Sequence, residues 1–87
     1  MPKIQFSASA YSDFIEWYQT DRNIFDKILL LIRDISRDPF KGLGKPEPLK
    51  GNLRGCWSRR ITLEHRIVYE IQDDNILIYS CHGHYDD

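Results

Sequence analysis

Three short runs of alternating apolar and polar residues close the chain and limit what it can fold into. They are "CWSRRI" (56–61), "HRIVYEI" (65–71) and "NILIYSCH" (75–82), separated only by "TLE" and "QDD". β-Branched and aromatic residues at period two mark strands. Gaps this short join strands as antiparallel hairpins, and Asp-Asp-Asn is turn chemistry. In the middle run His65, Ile67, Tyr69 and Ile71 share one face, while Arg66, Val68 and Glu70 share the other. Continued to residue 85, the last run places Ile76, Ile78, Ser80, His82 and His84 on one side. Leu77, Tyr79, Cys81, Gly83 and Tyr85 then lie opposite.

The first half supplies what covers the apolar face. "KIQF" (3–6) reads as a short strand, followed by serines suited to a helix start. Tyr11, Phe14, Ile15 and Tyr18 form a helical stripe, and Asp21 can cap a second helix carrying Ile24, Ile28, Leu31, Ile32 and Ile35. Pro39 follows that helix, and the brief break at Thr20-Asp21 implies an antiparallel pair. The expected fold is therefore α+β, in the order β-α-α-β-β-β. Two N-terminal antiparallel helices pack on one face of an antiparallel sheet. A chain of 87 residues holds one core, so residues 1–87 are read as a single domain. Trp17, Leu29 and Leu30 fall off both stripes and are expected on the surface, where they would mark a partner or dimer face.

Residues 39–52, "PFKGLGKPEPLKGN", hold three of the four prolines and three of the five glycines. This segment reads as a loop, or an edge segment at most, and loops of that length are often functional. Charge is concentrated nearby. Residues 39–70 carry seven Lys/Arg against three Glu, a local excess suited to a phosphate-bearing partner, although the net charge is −1. No apolar run approaches the roughly 20 residues that cross a bilayer, so no membrane association is expected. The N-terminus lacks the pattern of a signal peptide, and two cysteines make no disulfide framework; both fit the cytoplasm. Cys81 and His82 should face opposite ways on a strand and lack paired ligand spacing, so no metal and no cofactor are expected.

The chain ends "CHGHYDD". An imidazole near the end, Glu47 between Pro46 and Pro48, and guanidinium groups on neighbouring strands suit one reaction. Cleavage of RNA through its own 2′-hydroxyl needs a base for that proton, an acid for the departing 5′-oxygen and cations for the phosphorane. Arginine matches phosphate oxygens in a fork, which lysine cannot do. The route requires no metal. Taken singly, the same residues have plainer readings. Glu47 is a solvated loop carboxylate, Arg66 a surface partner of Glu64 or Glu70, and His84 a terminal side chain. His65, on the apolar face, reads as a hydrogen-bonded core histidine.

The stretch "DPFKGLGKPEPLKGNLRGCWSRRITLEHRIVYEI" and the end "CHGHY" resemble the Txe/YoeB toxins of bacterial toxin–antitoxin modules, within the RelE/ParE superfamily. The likeness spans the whole chain. It implies a ribosome-dependent, metal-independent endoribonuclease (an mRNA interferase) that cuts mRNA in the A site of the 70S ribosome and stops translation. It also implies inhibition by a cognate YefM/Axe-like antitoxin, and leaves a homodimer open. By this resemblance Glu47 of "KPEPLK" is the general base and Arg66 of "EHRIVY" stabilises the transition state. His84 of "GHY" is the general acid, and Tyr85 positions the substrate. Arg60 of "WSRRI", Arg59 and Lys50 are implied RNA-backbone contacts.

The family pattern stops at the tyrosine, whereas here Asp86 and Asp87 follow, and carboxylates there repel an anionic substrate. Two other readings stay open: a non-catalytic toxin or interaction module of the same fold, for example one directed at gyrase, and a degenerate inactive toxin. A pure binder has no need of Glu47, Arg66 and His84 together.

Overall fold

The computed structural model describes residues 2–83. β1 (Ile4–Phe6) leads into α1 (Ala8–Thr20) and α2 (Arg22–Arg37). β2 (Glu47–Pro48), a 3-10 turn (Gly51–Leu53), β3 (Trp57–Arg60), β4 (Arg66–Gln72) and β5 (Asn75–Ser80) follow. The strands form one sheet in the order β1-β5-β4-β3-β2. β2, β3, β4 and β5 pair antiparallel; β1 joins β5 in parallel at the edge. The expected α+β order holds, and the Pro-rich segment contributes the outermost, two-residue strand.

Local chemistry accounts for the breaks. The Ser7 hydroxyl caps α1 by accepting from the Ala10 amide at 3.0 Å. Asp21 Oδ1 accepts from the Asn23 and Ile24 amides at 3.1 and 3.3 Å, which starts α2 one residue after α1 stops. Each such cap stabilises by about 1 kcal/mol. Between the helices and the sheet lie Ile28, Leu31, Ile32 and Ile35 of α2, with Ile67, Tyr69, Ile76 and Ile78 of the strands. Leu29 and Leu30 are exposed, as their spacing requires.

Helix α1 turns a different face inward from the one its stripe marks. Ala10 is buried and Phe14 and Trp17 pack on the core, while Tyr11, Ile15 and Tyr18 are exposed. The cause is polar. Asp13 and Trp17 bond the main chain just beyond β5, Asp13 Oδ2 accepting from Cys81 N at 3.1 Å and Trp17 Nε1 donating to Cys81 O at 2.8 Å. A hydropathy stripe counts Asp13 as outward and so misplaces the helix. Trp17 is therefore no surface residue. The far side of the sheet carries a smaller cluster of Leu49, Cys56 and Val68, with Leu53 against it.

Candidate active site

The segment between α2 and β2 is short of apolar residues, and a buried ion pair fixes it. Arg59 lies on the helix side of β3 with none of its surface exposed. Its Nη1 donates to Asp34 Oδ2 at 2.6 Å and to Leu43 O at 3.3 Å. Nη2 donates to Asp38 O at 2.6 Å and Lys41 O at 3.0 Å, and Nε to the Tyr69 hydroxyl at 3.1 Å. These bonds occupy all five guanidinium donors. Tyr69 in turn donates to Pro39 O at 2.6 Å. Asp34 also accepts from Leu43 N and Arg37 Nη2. The Leu43 amide above all, then the two arginines, holds its carboxyl at about 2 rather than 3.8.

Gly42 sits at φ 129°, where a side chain would collide with Asp34 Oδ2. Arg60 N donates to Gly44 O at 2.7 Å, fastening the loop to β3. The expectation that Arg59 contacts RNA is thus corrected. Its charge is enclosed and its donors hold the loop that leads to Glu47.

Glu47 sits on the edge strand, where flanking prolines cost no ladder bond. Register places Glu47 opposite Ser58, Ser58 opposite Val68, and Arg60 opposite Arg66. All lie on the sheet face turned away from the helices. There Arg66 Nη1 stands 3.9 Å from Glu47 Oε1, the carboxylate side chain 58% exposed and the guanidinium side chain 11%. At that distance the contact is one of charge rather than a direct hydrogen bond. Like charges directly opposite repel, and Glu47 offsets part of the repulsion between Arg60 and Arg66. Two arginines at facing register positions on one sheet face suit a phosphodiester. Lys50 is exposed at the opening of the 3-10 turn, its carbonyl accepting from Leu53 N at 3.1 Å.

Strand β5 stops at Ser80, two residues short of the run read as 75–82. A register shift between Val68 and Tyr69 precedes it, and Cys81 turns into the helix-side core. The chain then runs back to the site. Arg66 N donates to Gly83 O at 3.0 Å, and Gly83 N donates to His65 Nδ1 at 2.9 Å. His65 is thus the hydrogen-bonded histidine its face implied. His84 and Tyr85, expected as acid and positioning group, lie outside the described residues. Burial pushes the Cys81 thiol up to about 12 and the Cys56 thiol upward, so both are unreactive.

Glu47 and Arg66 are thus brought together, with Arg60 beside them and Lys50 on the same loop. Sequence reasoning missed Asp34, which shares the inward face of α2 with Leu31 and Ile35. A carboxylate at such a position signals a buried cation partner.

Comparison with known proteins gives the family. Residues 6–85 match the family described as "YoeB-like toxin of bacterial type II toxin-antitoxin system". Toxin YoeB of Escherichia coli K12 is 53% identical over 83 residues, covering 95% of this chain and 99% of the relative. A YoeB/ParE toxin from Agrobacterium tumefaciens superposes with a TM-score of 0.93 at 46% identity, covering 95% and 99%. A heterotetrameric YoeB-YefM toxin–antitoxin complex from Staphylococcus aureus contains a chain with a TM-score of 0.90 at 44% identity, covering 98% and 99%. Fold and sequence alike define a toxin of the RelE/ParE type. The chain belongs to the YoeB toxin family.

Proposed function

We propose that this toxin is an mRNA endoribonuclease that acts on translating ribosomes. The single observation that carries the reading is the Glu47–Arg66 pair on the open sheet face, 3.9 Å apart and reached by the chain at Gly83. Glu47 takes the 2′-hydroxyl proton, and the resulting 2′-oxygen attacks the adjacent phosphorus. Arg66, with Arg60 beside it, stabilises the charge on the phosphorane. The bond to the 5′-oxygen breaks as His84 supplies its proton, leaving a 2′,3′-cyclic phosphate and a 5′-hydroxyl. Tyr85 positions the substrate, and Lys50 contacts its backbone.

The sugar hydroxyl, a carboxylate base, an imidazole acid and the arginine cations supply everything the step needs, so no metal ion takes part. The reaction requires the cytoplasm, where ribosomes work; among the described residues no helix is long and apolar enough to cross a membrane. By analogy with the Staphylococcus aureus complex, a YefM-like antitoxin restrains the protein.

Mapping 5′ ends of mRNA in purified translating ribosomes tests this. Cuts within the codon at the A site are expected with wild type and not with Glu47→Ala. Intact message with folded wild-type protein would overturn the reading.

A further inference from the structure

The three residues after β5 have no regular structure, yet each of their backbone polar groups has a partner. The Cys81 amide and carbonyl are held by Asp13 and Trp17 of α1. The His82 amide donates to the Ser80 hydroxyl at 3.4 Å, and that hydroxyl donates to His82 O at 3.1 Å. The Gly83 amide is bonded to a ring nitrogen and the Gly83 carbonyl to the Arg66 amide. A terminal segment ordinarily leaves these groups to water. Here an irregular path is fixed, up to the residue that precedes His84 in sequence, against the main chain of Arg66.

We infer that His65 is the positioning residue of this path. It acts as a latch: in its Nε2–H tautomer it accepts the Gly83 amide and holds Gly83 to the site. An N–H can be accepted only by a ring nitrogen that bears a lone pair, so the proton must sit on Nε2. Nε2 faces Glu64, whose Oε1 is 3.7 Å away. The ring is clamped from two sides. Its centroid lies 4.9 Å from that of Trp17, edge to face, and 4.7 Å from that of His82. Trp17 and His82 themselves stack at 5.4 Å. One tryptophan therefore bonds Cys81 and packs the ring that bonds Gly83. The conformation at Gly83 (φ 86°) favours glycine, although a Cβ there would meet nothing within 4 Å. Glycine serves the path, not the space.

The inference deepens the nuclease reading, since a latched Gly83 matters to catalysis only if His84, next in sequence, is the acid. Two measurements separate them. Nitrogen-15 NMR of the free wild-type protein should show a deprotonated Nδ1 on His65 and a Gly83 amide protected from exchange. His65→Phe keeps an aromatic body without the acceptor; His65→Asn keeps an acceptor near the Nδ1 position without the ring. His65→Phe should lose protection at Gly83 and cut mRNA slower, each by about tenfold, the effect of one partly buried bond left unmade. His65→Asn should recover most of both. A proton on Nδ1, Gly83 protection unchanged in His65→Phe, or protection lost with cutting unchanged would each overturn the latch. If Glu47→Ala still cuts, the nuclease reading fails, while the NMR result still decides whether the latch exists.

Discussion

Glu47 and Arg66 meet across the whole width of β3, Oε1 to Nη1 at 3.9 Å, although their strands are not hydrogen-bonded to each other. Both side chains rise from the same sheet face, and the intervening strand presents only small Ser58 opposite Glu47. An acid placed this way on an edge strand is open to solvent, while the arginine beside it is shielded.

The chemistry fixes the products. Cleavage through the 2′-hydroxyl leaves a 2′,3′-cyclic phosphate or its hydrolysed form, and a 5′-hydroxyl. Analysis of the fragment ends should find these, with cutting undiminished by a chelator when ribosome integrity is controlled. A 5′-phosphate on the downstream fragment would exclude Glu47 as the base for a 2′-oxygen.

Arg59 and Arg60 are neighbours on opposite faces of β3. Arg59→Ala takes from enclosed Asp34 its buried cation, leaves it only the exposed Arg37, and should cost about 3–5 kcal/mol of stability in chemical denaturation. Arg60→Ala should leave the melting midpoint nearly unchanged and weaken RNA binding, with a shallower salt dependence.

Acid should act through Asp34. Its carboxyl is held at about 2 in the folded chain against an ordinary 3.8. A depressed carboxyl stabilises the fold above its ordinary value, and that contribution disappears as pH falls through the folded value. Urea midpoints should decline between 3.8 and about 2. Asp34→Asn should flatten the decline, from a lower starting stability.

Ser58 Oγ is buried without a hydrogen-bond partner among the described residues. An unmet buried hydroxyl costs about 1–3 kcal/mol. Ser58→Ala should therefore hold or raise the melting temperature, whereas a clear drop would reveal a bond that the free protein makes.

Much of this was legible in the sequence, and the failures share a cause. Period-two runs and hairpin-sized gaps located the three long strands, and Asp21 marked the break between helices. Glu47 and Arg66 stood out through the resemblance, while their proximity appears only with the β2–β3 pairing of the folded sheet. What hydropathy could not read was polar packing. Asp13 and Trp17 turn α1 toward Cys81, which exposes Tyr11, Ile15 and Tyr18. The resemblance makes Arg59 an RNA contact because a motif match does not reveal the carboxylate on its side of the sheet. The path beyond Ser80 depends on side chains from α1 and from the start of β4, far away in sequence.

The most direct test of the proposed chemistry is single-turnover mRNA cleavage on purified translating ribosomes by Glu47→Ala/Arg66→Ala, with thermal unfolding recorded on the same preparation. The double variant should melt cooperatively like wild type and cut more slowly by at least about a hundredfold. Cutting at the wild-type rate by that folded variant would remove both residues from the reaction.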